Sequence, residues 1–317
     1  MPALLDLMLI VPGIARTQSY PARPVRLIVP YAAGGPVDSM ARLLVPRLID
    51  AFGQQVVIDN RGGANSIVGS ELTARAAPDG YTLALISASF TVNVSLYPKL
   101  PFDAVRDFTP VTLVASGPGM LVTHPALPVR NLKELIALAK ARPGALSYGS
   151  AGAGAPTSHL GMEMLKSIAG IDIVHVPYKS MAPALIDVLG GQVQMSMPTV
   201  NVVLPHLRSG RLRAIGVSSL QRSPTAPDVP TLAEAGMQGY EAINWFAIIG
   251  PAGIPAAIAE KVHADTAEAL KGADLRERIG AAGMEPKSMG PGELAAYIKT
   301  EIVKWSKAVK ASGAKAE

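Results

Sequence analysis

Two stretches of the chain share one design, in which a short apolar run leads into a glycine-rich turn and then into a helix. The first turn is Tyr31 to Asp38, with a helix predicted from Ser39 onward. The second turn is Gly149 to Thr157, with a helix predicted from Ser158 onward. Because strand, turn and helix units of this kind build largely parallel sheets, the repeated design favours an α/β architecture.

Neither turn contains a Lys or Arg, so any affinity for an anion must come from the main chain. The first N–H groups of a helix have no intrahelical partner and carry partial positive charge, and glycines let a ligand approach them closely. Each turn is therefore predicted to be a main-chain anion site. Two such sites facing each other would hold a molecule with an acid group at either end.

Length and composition restrict the function further. The chain has 317 residues, enough for about two domains, and 49% of them are hydrophobic. The net charge is +5 with scattered basic residues, which favours anionic solutes over nucleic acid. The absence of cysteine excludes disulfides, thiol catalysis and Cys-ligated zinc. The first 19 residues contain a short apolar run that is interpreted as a signal peptide or as a disordered N-terminus.

Strand-like and helix-like segments alternate along the whole chain, and two proline-rich stretches interrupt the pattern near residues 118–128 and 223–230. These stretches are the candidate crossings between two domains that close about a hinge. The predicted division is residues 20–121 with 222–317 as domain I and residues 122–221 as domain II. Predicted strands are Val25 to Pro30, Val56 to Asp59, Thr82 to Ser87, Val111 to Ala115, Met120 to Thr123, Leu146 to Tyr148, Ile173 to Val176, Val193 to Met197, Leu212 to Ser218 and Ala242 to Gly250.

Several single residues allow two interpretations. Asp38 is expected to cap its helix, whether or not the turn binds a ligand. His159 either assists a bound anion or caps the turn, or it is simply packed or solvated. Tyr178 either reaches into a cleft or lies at a half-exposed strand end, and Trp245 is either a cleft wall or core.

The patterns typical of enzymes are incomplete. A Gly-x-Gly at Gly152 and Gly154 lacks the third glycine of a dinucleotide site, and Tyr148 replaces the first glycine of a nucleophile elbow around Ser150. No convincing acid and base pair is apparent, and no cofactor or metal is expected. An α/β enzyme using a nucleotide cofactor and a sensor for a membrane kinase remain the alternatives to a solute receptor.

A set of ordered motifs resembles the Bug family, the extracytoplasmic solute-binding proteins of tripartite tricarboxylate transporters. The resemblance runs from about Tyr20 to the C-terminus. The matching segments are Pro30 to Pro36 with Asp38, Asn60-Arg61 with Gly63-Ala64, Pro78 to Leu83, Val176 to Lys179, Gly190 to Val193, Pro224, Pro227 to Thr231, Trp245, and Gly250 to Gly253.

This resemblance implies a type II periplasmic binding protein fold, with two α/β domains, a central cleft and two hinge crossings. It implies a periplasmic monomer that delivers a small organic carboxylate to the permease subunits of a membrane transporter. The ligand-binding residues it implies, together with the two turns, are Tyr31, Ala32, Ala33, Gly34, Gly35, Asp38, Ser87, Ala88, Ser89, Ser150, Ala151, Gly152, Gly154, Thr157, His159, Tyr178, Pro198, Thr199 and Trp245.

Two departures from the family pattern bear on specificity. Pro198 stands where many members carry aspartate, which removes a partner for a ligand amine. Val37 stands where a hydroxyl residue is common. We therefore expect a plain carboxylate or an aromatic acid derivative rather than an amino acid.

Overall fold

The computed structural model describes residues 20–152 and 154–314, so the predicted signal segment before Tyr20 lies outside the described residues. The strands are β1 (Val25–Val29), β2 (Val56–Asn60), β3 (Thr82–Ser87), β4 (Phe108–Pro118), β5 (Met120–Thr123), β6 (Ser147–Ser150), β7 (Val174–Pro177), β8 (Met195–Ser196), β9 (Arg213–Val217), β10 (Ile243–Pro251) and β11 (Glu285–Pro286). The α-helices are α1 (Pro36–Phe52), α2 (Ile67–Ala74), α3 (Ser89–Leu96), α4 (Leu132–Ala141), α5 (Met162–Ala169), α6 (Met181–Leu189), α7 (Val200–Arg208), α8 (Ala256–Ala269), α9 (Ala273–Ala281) and α10 (Pro291–Ser312). A π-helix, Pro156–Gly161, runs directly into α5.

The strands form two separate sheets, as the predicted two-domain α/β architecture requires. The first sheet has the order β11-β4-β10-β3-β1-β2, and the second has the order β7-β6-β8-β5-β9. Strand β1 pairs in parallel with β2 and β3, and β6 pairs in parallel with β7 and β8. Both glycine-rich turns therefore follow the carboxyl end of a central parallel strand, which is where open α/β sheets bind ligands.

The apolar faces of the helices account for the cores beneath the sheets. On α1, Met40, Leu44 and Leu48 recur at helical spacing and are buried against the first sheet. Helix α1 begins at Pro36, three residues before the predicted start, because proline is tolerated at the first helical position where no N–H is needed. Helix α1 continues through Pro46, although a proline inside a helix removes one backbone hydrogen bond.

The two sheets are joined at two places held together by one side chain. The chain leaves the first sheet at the end of β4 and enters the second at Met120, with Gly119 between them. The buried Ser218 hydroxyl accepts a hydrogen bond from the Gly119 N–H at 2.8 Å and donates one to the Ala242 carbonyl at 2.5 Å. Ser218 thus connects the outgoing crossing with the returning one.

Beyond residue 222 the chain still contacts the second sheet, since Thr231 bridges to Val217 of β9. Leu232 and Tyr240 are buried in a cluster with residues of the second sheet, and the chain rejoins the first sheet at β10. Helix α10 contacts both halves of the molecule, because Ile298 packs with residues of the first sheet while Trp305 and Val309 pack in the other cluster. An amphipathic stripe identifies the buried face of a helix but not which of two sheets it covers.

Candidate functional site

A cavity of about 500 Å³ lies between the two sheets, beside the carboxyl ends of β3 and β6. A larger depression of about 760 Å³ lies between α5 and α10, away from both glycine-rich turns. We assign the candidate site to the cavity because both lobes contribute to it and both turns lead into it. It is lined by Tyr31, Pro36, Val37, Ser39, Met40, Leu43, Ser87, Ser89, Ala151, Ala155, Pro156, Thr157, Ser158, Met181, Met197, Pro198, Thr199, Val202, Asn244, Phe246, Ala282 and Met284.

The first glycine-rich turn is held by Asp38, which is almost completely buried. Its carboxylate accepts hydrogen bonds from Arg42 Nε at 2.8 Å, the Gly34 N–H at 2.8 Å and Asn60 Nδ2 at 3.0 Å. These donors, Arg42 first, lower the pKa of Asp38 to about 2. Asp38 therefore acts as an anchor of the turn, and its carboxylate is occupied by protein donors.

The second glycine-rich turn is held by neutral groups. The Gly154 N–H donates to His159 Nδ1 at 2.9 Å, the Ala151 N–H donates to Ser158 Oγ at 3.2 Å, and the Gly152 N–H donates to Ser150 Oγ at 3.2 Å. His159 therefore caps its turn.

The His159 imidazole stays neutral at physiological pH. It is 5% exposed and stacks on His175 with ring centroids 4.1 Å apart. Burial lowers the pKa of His159 to about 3, assisted by the nearby charges of His175 and Lys166. A neutral ring with an unprotonated Nδ1 can accept the Gly154 hydrogen bond, which a protonated ring could not.

These contacts correct the expectation that the amides of the glycine turns face the ligand. The N–H groups of Gly34, Gly152 and Gly154 are paired inside their own turns, and the Gly35 N–H donates to the Ala32 carbonyl at 3.3 Å. Those four glycines and Ala32 and Ala33 are not in the cavity lining. The donors without an intrahelical acceptor belong instead to the first helical turns, where Val37 and Thr157 line the cavity.

The two helix starts at the cavity are built alike. Each has a proline at the first helical position, Pro36 on α1 and Pro156 on the π-helix, and the residue before each helix is extended. Proline removes one N–H that has no partner and pre-sets the helical backbone for the donors that follow. The positive ends of two helices therefore converge on one space from opposite lobes.

Hydroxyl groups and the Asn244 amide supply the other polar side-chain groups of the cavity. The Tyr31 hydroxyl lies 2.7 Å from Ser87 Oγ. Burial raises the pKa of Tyr31, partly offset by its hydrogen bonds to Ser87 and its neighbours, so the phenol stays neutral. Ser89, Ala151, Pro198 and Thr199 also line the cavity as expected from the sequence.

Other expected site residues lie behind the lining. Trp245 is fully buried in the core and donates from Nε1 to Glu301 at 2.9 Å, so it is not a cleft wall. The N–H of Ala88 donates to the Trp245 carbonyl at 3.1 Å, and the Tyr178 hydroxyl donates to Asp187 at 2.5 Å. Ala88, Ser150, Tyr178 and His159 support the turns and strands from behind.

Sequence reasoning missed part of the apolar lining. Met40, Met181 and Met284 line the cavity, although no turn motif includes them. Met197 adjoins the expected Pro198, and Phe246 follows Trp245 and points to the opposite face of its strand. The methionines come from elements far apart in the chain, which a local pattern does not connect.

Comparison with known proteins identifies the family. Residues 40–314 match the family model described as the tripartite tricarboxylate transporter family receptor. This chain belongs to that receptor family. It is therefore a binding protein rather than an enzyme, as expected from the incomplete catalytic patterns.

Relatives of this receptor are similar along nearly their whole length. Protein BugT of Bordetella pertussis is 39% identical over 99% of this chain and 97% of its own. The structure of Rpa4515 from R. palustris with adipate is 34% identical, has a TM-score of 0.78 and covers 93% of this chain and 99% of that one. MatC from Rhodopseudomonas palustris with bound malate is 32% identical, has a TM-score of 0.75 and covers 92% of this chain and 100% of that one.

The same likeness confirms the periplasmic binding protein fold. The structure of the periplasmic binding protein BugD is 35% identical, has a TM-score of 0.75 and covers 93% of this chain and 99% of that one. Within residues 20–152 and 154–314, every helix is too short or too polar to cross a bilayer.

Proposed function

We propose that this receptor works in the periplasm, captures a small organic carboxylate in the cavity between its two sheets and delivers it to the permease subunits of a membrane transporter. The observation that carries the proposal is the convergence of two proline-initiated helix starts on one cavity. Adipate and malate, the ligands named for two related structures, are both carboxylates. Their chemistry fits a site in which main-chain donors meet an anion.

The ligand contacts are proposed for the residues of the lining. The N–H groups of Val37 and Thr157, with the hydroxyls of Tyr31, Ser87 and Ser89, are the proposed carboxylate donors. One helix terminus contributes about 0.3 to 2 kcal/mol to anion binding, whereas micromolar affinity requires about 8 kcal/mol. Hydrogen bonds from several hydroxyls, bridging waters and exclusion of solvent must therefore supply most of the affinity.

Closure of the two lobes is the proposed means of excluding solvent. The two lobes are proposed to move about Gly119 and the segment around Ser218 and Ala242, where both crossings are hydrogen-bonded together. Two adjacent crossings allow a rotation that brings the first turns of α1 and the π-helix toward each other. We propose that a monomer is sufficient for capture, because both helix starts come from one chain.

Titration calorimetry on refolded, ligand-free protein tests the proposal. Adipate, malate, benzoate and 3-phenylpropionate are titrated, each beside its uncharged amide. We expect heat and a raised melting temperature with at least one acid and neither effect with its amide. Absence of binding by every acid to correctly folded protein would contradict the proposal.

A further inference from the structure

The charge of the cavity lining limits the ligands it can hold. Among the described residues that line it, none is Asp, Glu, Lys, Arg or His. The nearby carboxylate of Asp38 is already used by Arg42, Asn60 and the Gly34 N–H. A ligand ammonium group would therefore be buried without an anionic partner, which is costly.

The shape-adaptable part of the lining is unusually rich in sulfur. Of the chain's 12 methionines, Met40, Met181, Met197 and Met284 line this one cavity. Phe246 lies among them, and Met40, Met197, Met284 and Phe246 are almost completely buried. Thioethers make favourable contacts with aromatic rings and adapt to their outline, but they offer a second carboxylate no donor and a hydroxyl only a weak acceptor.

We infer that the ligand of this receptor is an aromatic carboxylate without an amine, whose ring packs among the cavity methionines and Phe246. The inference rests on the proposed function and specifies the substrate class of the same site. The carboxylate meets the main-chain and hydroxyl donors, and the ring fills the apolar part of the lining. Short hydroxy acids and α-amino acids each leave polar groups against thioethers, so they bind more weakly.

Matched ligands test this inference by calorimetry. Benzoate, phenylacetate and 3-phenylpropionate vary the distance from carboxylate to ring, and phenylalanine is 3-phenylpropionate with an added ammonium group. We expect the tightest aromatic acid to bind at least about tenfold more tightly than malate or adipate, and phenylalanine to bind about 100-fold more weakly than 3-phenylpropionate.

The outcomes separate the inference from the proposed function. Tighter binding of malate or adipate than of every aromatic acid overturns the inference and leaves the receptor function intact. Equal affinity for phenylalanine and 3-phenylpropionate also overturns it. If no acid binds at all, the proposed function itself fails.

A pair of variants tests whether the methionines of the cavity lining contact the ligand. Met181 and Met164 are both partly exposed, but only Met181 lines the cavity, whereas Met164 lies in the depression beside α10. Met181→Gln keeps the length of the side chain and is expected to weaken the aromatic acid about tenfold, while Met164→Gln changes it less than about twofold. Melting temperatures within a few degrees of each other show that both variants fold. An unchanged affinity in Met181→Gln overturns the inference.

Discussion

The two glycine-rich turns share a design but are held by opposite kinds of partner. Asp38, an ionised carboxylate, accepts the Gly34 N–H in the first turn, and the neutral ring of His159 accepts the Gly154 N–H in the second. In both turns, the amides that the sequence pattern assigned to the ligand stabilise the turn instead. The first helical turns, at Val37 and Thr157, are left to meet the ligand.

The largest expected effect comes from placing a negative charge at each helix start. Thr157→Asp is expected to weaken binding of the best acid about 100-fold, because like charges meet in a site without counter-ions. Val37→Asp is expected to weaken it about tenfold, since apolar Met40 and Leu43 flank that end. An acidic residue in the first helical turn complements the helix dipole at partly exposed Thr157, whereas Val37 is buried, so melting temperatures must show that both variants fold.

The uncharged controls for that pair are Thr157→Val and Val37→Thr, which preserve size and the N–H group. Calorimetry should show that both controls bind the acid with an affinity within about tenfold of that of the unchanged protein, because only one hydroxyl is lost or gained. Small effects of both Asp variants would break the assignment of the carboxylate to the two helix starts.

The next effect concerns Asp38, the anchor of the first turn. Asp38→Asn is expected to lower the free energy of unfolding by about 2 kcal/mol, because an amide cannot accept from Arg42, Asn60 and Gly34 together. Asp50→Asn on the same helix is the control, since that carboxylate is exposed. Urea unfolding of the control should show a change in the free energy of unfolding below about 0.5 kcal/mol. Equal values for the two variants would refute an anchoring role for Asp38.

The pH dependence of stability should distinguish the two anchors. The pKa of His159 is lowered from 6.5 to about 3, so the unfolded chain binds a proton first as the pH falls below 6.5. Between pH 7 and pH 5 this linkage is expected to remove about 1 to 2 kcal/mol of stability. The pKa of Asp38 is lowered from 3.8 to about 2, so its contribution persists over that interval and is lost only as the pH falls through about 2.

His159→Gln provides the test of that assignment. The glutamine oxygen can still accept the Gly154 N–H but does not titrate, while Lys166 and His175 remain near it. Chemical unfolding at pH 7 and pH 5 should show a smaller loss in the variant than in the unchanged protein. An identical loss in both would place the titrating group elsewhere.

The smallest expected effect compares the glycines themselves. Gly34 and Gly154 both have positive φ, at 80° and 76°, but an added Cβ at Gly34 meets nothing within 4 Å whereas at Gly154 it would lie 2.7 Å from Leu96. Gly34→Ala is expected to cost about 1 kcal/mol from backbone strain alone. Gly154→Ala is expected to cost about 1 kcal/mol more, since Leu96 must move. Equal free energies of unfolding for the two variants would show that the Leu96 side chain moves aside with no loss of stability.

Local patterns were sufficient for most elements and for the location of the site. Alternating apolar runs and turns predicted β1, β3 and β6. Cap signals did not reveal where a turn amide finds its acceptor, because Asp38 and His159 each reach back four or five residues to do so. Such contacts depend on side-chain direction as well as on residue type.

Local sequence patterns did not predict which residues that are distant in sequence pack together. Strand β10 is buried on both faces, so nothing in its composition separates Trp245 in the core from Phe246 in the cavity. The return crossing depends on which sheet receives Leu232 and Tyr240, and apolar residues pack equally well on either. The four methionines of the cavity lining likewise come from four separate segments of the chain, which no local pattern connects.

The central claim is that main-chain donors of two helix starts, without cationic side chains, hold an organic acid. A crystal structure with the tightest-binding acid tests it most directly. We predict carboxylate oxygens within about 3 Å of a first-turn N–H, with Thr157 the leading donor, directly or through one water. A carboxylate paired with a Lys or Arg side chain, or an acid bound outside the cavity, would contradict the account.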